Sequence, residues 1–258
     1  MRFRDYLEAR GFQIPARDAF AESDYATLIR ILHSPSAQTP SEMTQALWHI
    51  DDMSSDQGME ALLLAASKNG IAIPDSDRLT PSDLAIHIWL QDPNILRHAN
   101  AERVVTKVKS FEYFRNRNIE PPELKTPTAK TIQSIQAAMD DFNRRRGGGA
   151  VVSVHPIGDE LAFLMKRGET LRRGDLLHGD TWQSSVWQPA GYDTLVYNPK
   201  IGEARVSARL KGEKQFYCRT FGLHLFGDSD FFPTTECFDL TPIQHLGEDI
   251  QSPANVDG

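Results

Sequence analysis

The sequence predicts an α+β protein in which helices come first and an antiparallel sheet follows. Up to Gly149, apolar residues recur every three or four positions, which is the spacing of the buried face of a helix. After Gly149 they alternate with polar residues, as in strands that bury one face. This change of period predicts two parts with different architectures.

Proline-rich and polar stretches predict where the chain divides. Residues 1–117 are predicted to form an acidic helical domain, and residues 118–127, which contain three prolines, a stiff connector. Residues 128–247 are predicted to form one long helix packed on the sheet. Residues 248–258 are predicted to be a polar tail.

Capping residues mark the predicted helix starts. Ser41 is predicted to cap one helix, and Ser55 begins another that extends to Asn69. In Thr80-Pro81-Ser82-Asp83 a cap precedes a first-turn proline and an acid, which predicts a further start. Periodicity also predicts helices over 16–33 and 128–146.

Alternating apolar residues predict the strands. They are placed at 150–155, 160–166, a short stretch over 169–173, and a meander of 192–198, 203–211 and 214–226. Residues 174–191 are predicted to be a long loop. Burial under the sheet is the expected state of Trp182 and Trp187, and the alternative is that they are exposed in the loop and anchor a partner.

Composition predicts a soluble, cytoplasmic protein that does not enter a membrane. Two cysteines in 258 residues favour a reducing compartment. The N-terminus lacks the apolar stretch of a signal peptide, and the longest apolar run, residues 61–66, is too short to cross a bilayer. No cofactor is predicted.

The net charge of −7 is unevenly distributed. Residues 1–102 hold eight Lys and Arg against 15 Asp and Glu, and residues 103–219 hold 20 against 13. Residues 220–258 hold seven acids and no Lys or Arg. We therefore expect an anionic partner to bind the middle of the chain, since an acidic helical part is repelled by nucleic acid.

The predicted strand over 203–211 places three cations on one face, namely Arg205, Arg209 and Lys211. Neighbouring segments add further candidates for the same surface: Lys166, Arg167, Arg172, Arg173, Lys214, Tyr217 and Arg219. Arginine binds phosphate with a planar fork, and an aromatic ring stacks on unpaired bases. The alternative is a solvated face whose cations pair with Glu169, Glu203 and Glu213.

Two other sets of residues suggest different chemistry. A hydrolase site would combine His178 and Asp180 with Asp193 or Glu203, although the sequence places no nucleophile beside them. A zinc site would combine Cys218, His224, Cys237 and His245, but neither pair has the close spacing of structural zinc sites. A buried thiol is the expected state of Cys218, and no metal site is predicted.

The leading functional hypothesis is a non-enzymatic binding module for an anionic partner, with nucleic acid first and an acidic protein surface second. The alternatives are a metal-dependent hydrolase or nuclease, and a structural protein whose helical half docks into a larger complex. Whether the protein is an enzyme stays open at this stage.

Overall fold

The chain folds into two compact units, residues 1–107 and 108–258. The computed structural model describes residues 3–12, 41–73, 79–116, 120–121, 126–144, 149–178 and 180–233. The predicted helix over 16–33, the tail of 248–258 and most of the connector lie outside the described residues. Helices precede strands along the chain, which confirms the predicted α+β class.

The first unit is helical. Within its described residues the helices are α1 (Phe3–Glu8), α2 (Ser41–Met53), α3 (Asp56–Lys68), α4 (Pro81–Gln91) and α5 (Pro93–Lys107). Their apolar faces meet in a core that includes Leu7, Met43, Leu62, Leu84 and Leu96. None of the helices in the described part of the chain is both long and apolar enough to span a bilayer.

The predicted cap forms at Thr80, and Ser55, predicted as the first residue of its helix, is a cap instead. Ser41, predicted as a cap, is the first residue of α2. The Ser55 hydroxyl accepts a hydrogen bond from the Gly58 amide at the start of α3. At the start of α4, the Thr80 hydroxyl accepts from the Asp83 amide, and the Asp83 carboxylate accepts from the Thr80 amide. This reciprocal pair satisfies two amides that the helix itself leaves without acceptors.

The second unit combines helices with an antiparallel sheet. In chain order its elements are β1 (Glu112–Arg115), α6 (Ala129–Asn143), β2 (Ala150–Ile157), β3 (Glu160–Gly168), β4 (Arg172–His178), β5 (Thr181–Trp187), β6 (Ala190–Asn198), β7 (Glu203–Ser207) and α7 (Lys211–Phe221), which runs into a π-helical turn (Gly222–Phe226). Five strands pair in the order β1-β7-β6-β3-β2, and β4 pairs only with β5.

One face of the five-stranded sheet packs against α6 and α7. Strand alternation sends Met165, Leu195 and Val206 to this face, where neighbouring strands hold them in register. Ile135 of α6 and Phe221 of α7 complete this core. We call this side of the sheet the helix-covered face. The alternate residues form the second face of the sheet.

The structure corrects four strand predictions. Residues 214–226 form α7 and the π-helical turn instead of a strand, and the strand predicted over 203–211 ends at Ser207. The predicted loop over 174–191 is mostly the β4–β5 hairpin, and no separate strand covers 169–173 because β4 begins at Arg172. In α7 the buried residues Glu213, Tyr217, Thr220 and Phe221 follow helical spacing, which overrides the β preference of its aromatic residues.

Candidate functional site

The predicted basic strand face does not form as a single row. Arg205 lies on the second face of β7, but the strand ends at Ser207, before Arg209 and Lys211. Arg209 lies in a bend, and Lys211 is the first residue of α7. Both are exposed, as is Arg219 further along the same helix. The three cations therefore surround α7 and do not line a strand.

Two of the predicted cations are held by carboxylates. Arg205 reaches across β6 to Glu160 on β3, with its two terminal nitrogens 3.1 and 2.7 Å from the two carboxylate oxygens. Lys214 of α7 donates to Glu112 of β1 at 2.9 Å. A bidentate arginine pair has fixed geometry, so Arg205 contributes to the packing of the second face.

Arg167 and Tyr217 are buried together on the helix-covered face. The Nε atom of Arg167 donates to Asp193 Oδ2 at 2.6 Å, and the Tyr217 hydroxyl donates to the same oxygen at 2.6 Å. Glu213 lies 3.8 Å from the Arg167 guanidinium and accepts the Leu210 amide at 2.9 Å. All four side chains of this buried cluster, Arg167, Asp193, Glu213 and Tyr217, are at most 7% exposed.

The buried cluster keeps its charges fixed. Burial lowers the pKa of Arg167, but the hydrogen bond and charge of Asp193, with the charge of Glu213, raise it overall, so the guanidinium stays protonated. Burial, the charge of Asp193 and the hydrogen bond to it raise the pKa of Tyr217 well above its ordinary value. Arg167 and Tyr217 are therefore buried in contacts within the second unit, and neither side chain is exposed on the predicted basic face.

Two carboxylates named for the hydrolase alternative lie apart. Asp193 lies on the helix-covered face with Met165, whereas Glu203 pairs with Asn198 on the second face. Two carboxylates on opposite faces of a sheet cannot share one ion. Asp180 is exposed at the β4–β5 turn.

The zinc alternative is only partly covered by the structure. Cys218 is buried in the core, whereas Cys237 and His245 lie outside the described residues. Within the ranges that are described, no group of three or more His, Cys, Asp or Glu side chains is arranged to hold a metal ion.

The β4–β5 hairpin forms an arm, defined here as residues 172–187. It continues from the ends of β3 and β6, where the Glu169 amide donates to the Pro189 carbonyl at 2.8 Å. The Gln188 side-chain amide donates to the Glu169 carbonyl at 2.9 Å, which ties the two connecting segments together. The base of the arm is therefore attached to the two central strands that also hold Arg167 and Asp193.

Two tryptophans of the arm are exposed, contrary to the prediction that they are buried. Trp182 is 70% exposed and Trp187 is 41% exposed, and Val186 between them is also exposed. The two indoles lie on opposite faces of the arm, because they are five positions apart in one strand.

Each face of the arm combines a tryptophan with an arginine. Arg172 lies directly opposite Trp187 in the register, and Arg173 lies opposite Val186 on the Trp182 face. Arg172 pairs with Glu169 at 3.1 Å and remains 62% exposed. Arg173 forms no ion pair with any residue that the structure describes. Lys166 is exposed in β3 near the arm's base, 5.8 Å from the ring of its cross-strand partner Tyr192.

The sequence pattern did not reveal the arm, although one signal was present. His178 pairs with Thr181, so only Gly179 and Asp180 connect the strands. A two-residue connection that begins with glycine is typical of a tight hairpin turn. The acids of the buried cluster, by contrast, have no spacing in the sequence that would have marked them.

Comparison with known proteins does not place the chain in a family. No protein-family model matches it. No curated protein matches its sequence. The fold and the site define it as a two-unit α+β protein with an exposed aromatic β-arm, and its function is argued from that geometry.

Proposed function

We propose that the protein binds a single-stranded nucleic acid through the arm and the cations at its base. The observation that supports this proposal best is the exposure of Trp182 and Trp187 beside Arg172 and Arg173. Indoles stack on unpaired bases, and arginines contact phosphates. The sequence predicted a binding surface on the strand over 203–211. The proposal places that surface on the arm instead.

The exposed indoles favour a stacking role over a structural one. An exposed indole gives up the stabilisation that a buried aromatic side chain contributes to a core. Trp182 and Trp187 stand roughly 16 Å apart along β5, at about 3.3 Å per residue. An extended, flexible polymer can contact both faces of the arm, whereas the paired bases of a duplex do not offer their rings for stacking.

The cations near the base of the arm favour an anionic polymer, although Asp175 and Asp180 lie further along the arm. Arg173 has no ion pair among the described residues. Arg172 and Lys166 are further exposed cations at or near the base of the arm. In this proposal Arg209, Lys211 and Arg219 around α7 add a positive field that steers an anion towards the same unit. Arg167, Arg205, Lys214 and Tyr217, which are committed to contacts inside the protein, are not part of the proposed surface.

The experiment measures binding of fluorescent single-stranded DNA, single-stranded RNA and duplex DNA over a salt series. The test variants are Arg172→Gln/Arg173→Gln and Trp182→Ala/Trp187→Ala. Lys200→Gln is the matched control, because it removes one cation at the β6–β7 turn, at the opposite end of the sheet from the arm.

We expect single strands to bind best and the tryptophan variant to lose at least about tenfold in affinity. Removing two phosphate contacts should make the log–log salt slope shallower by about 1.4 units. Lys200→Gln should bind like the wild type. Binding of poly-glutamate but of no oligonucleotide at low salt would replace the proposal with an acidic protein partner, and equal binding by all variants would remove the arm from it.

A further inference from the structure

A cleft in the helical unit combines aromatic walls with basic side chains. It has a volume of about 350 Å³ and lies among α1, α2, α4 and α5. Tyr6 and Trp89 form one wall, with their rings edge to face at 4.5 Å, and Ala46 and Leu96 add apolar surface. A volume of this size accommodates a small organic molecule.

The charged residues of the cleft favour an anion. Arg10 stands over the Tyr6 ring at 3.5 Å and pairs with Glu42 at 2.8 Å. Arg97 donates to the neutral side chain of Asn94 at 2.7 Å, and it forms no ion pair with a described residue. The lining therefore has one cation more than it has acids, in a half of the chain that is acidic as a whole.

A buried polar chain sets the orientation of His49 in the lining. Asn100, which is 2% exposed, donates through Nδ2 to Asp52 Oδ2 at 2.7 Å. Its Oδ1 atom is then the acceptor that faces His49 Nδ1 at 3.1 Å, so Nδ1 carries the hydrogen. Asp52 is held in turn by Arg103 and Lys107. Such a supported side chain is typical of a binding site whose geometry is set before the ligand arrives.

We propose that this cleft binds a small molecule with a planar ring and one anionic group. The ring lies beside Trp89, and the carboxylate or phosphate is held by Arg97 with Arg10 beside it. His49 is a positioning residue at the side of the cleft. The inference is independent of the arm, because every lining residue belongs to the first unit.

Isothermal titration calorimetry on the full chain tests the proposal with two probes, adenosine monophosphate and 2-naphthoate. They share a planar ring and an anionic group, and they distinguish a phosphate ligand from a carboxylate ligand. Arg97→Gln removes the cation, and Gln45→Trp fills the mouth of the cleft from an exposed position. Lys68→Gln removes an exposed cation from α3 as the matched control. Each titration is repeated in the Trp182→Ala/Trp187→Ala chain, so that binding to the arm is not counted.

We expect one probe or both to bind at a single site with a Kd at or below about 1 mM. Arg97→Gln and Gln45→Trp should each weaken that binding by about tenfold or more, and Lys68→Gln should not change it. Circular dichroism confirms that the variants are folded. The proposal is overturned if neither probe shows saturable binding to the wild type, or if both cleft variants bind as the wild type does.

Discussion

The indole of Trp187 lies over Gly174, its diagonal neighbour on the other strand of the arm. A Cβ atom on Gly174 would stand 3.1 Å from Cη2 and 3.4 Å from Cζ3 of the ring. A glycine at this position leaves room for the ring, which a side chain would crowd. The backbone does not demand glycine here, since the φ of Gly174 is not positive. The contact fixes one exposed indole of the proposed binding surface.

Gly174→Ala should shift the Trp187 ring by a few tenths of an ångström, because the added Cβ would stand closer to the ring than an ordinary van der Waals contact. We expect a change in the tryptophan signal of the near-ultraviolet circular dichroism spectrum and a loss of oligonucleotide affinity smaller than that of Trp187→Ala. Gly212→Ala is the matched control, since a Cβ at Gly212 meets nothing within 4 Å. An unchanged spectrum for Gly174→Ala would show that the indole does not rest on Gly174.

Asp193→Asn should strongly destabilise the second unit, because it leaves the buried Arg167 guanidinium without its carboxylate. Removing one partner of a buried pair costs about 3–5 kcal/mol. The double variant Arg167→Met/Asp193→Leu should lose less free energy of unfolding than Arg167→Met and Asp193→Leu lose together. In the double variant neither member of the pair is left without the other. Urea unfolding measures these differences, and the exposed pair variant Lys200→Gln should stay within about 1 kcal/mol of the wild type.

Tyr217 should make the second unit less stable in alkali. Its folded pKa is raised, so its contribution is fully present below the unfolded pKa of about 10 and is lost as pH rises towards the folded pKa. The stability difference between the wild type and Tyr217→Phe should therefore shrink as pH rises above about 10. Urea titrations at pH 8 and pH 11 measure it, and an equal difference at both values contradicts the assignment.

Thr80→Ala should destabilise the helical unit by about 1 kcal/mol, because it removes one half of the reciprocal cap of α4. Thermal unfolding followed at 222 nm measures the loss. The hydroxyl of Ser134 in α6 bonds only within its own helix, to the Lys130 carbonyl, so Ser134→Ala serves as the control and should leave the stability of the helical unit unchanged.

The helix starts could be predicted because their signals are local. Ser55, Thr80 and Thr128 each accept a hydrogen bond from the amide three residues further on, so a few neighbouring residues contain the whole interaction. The strands β3 and β6 were also predicted from local pattern, although Thr194 and Val196 on the second face of β6 are buried as well.

The site was harder to predict because its determinants are distant in sequence. Glu213 looks like a surface residue until Arg167, 46 positions earlier, is placed beside it. As long as Glu213 was not recognised as buried, its spacing of four from Tyr217 and of eight from Phe221 was not read as a helix face. The aromatic residues of this segment then predicted a strand. Trp182 and Trp187 were expected to be buried because tryptophan usually is, and the sequence does not show that β4 and β5 leave the main sheet.

The most direct test of the proposed function locates the nucleic acid on the protein. A single-stranded oligonucleotide that contains 5-iodouracil is cross-linked to the wild type by light, and the cross-linked peptides are identified by mass spectrometry. We predict that the cross-links fall on Trp182 and Trp187 and disappear in Trp182→Ala/Trp187→Ala. Cross-links confined to the surface of α7 or to the helical unit, with none on the arm, would contradict the account.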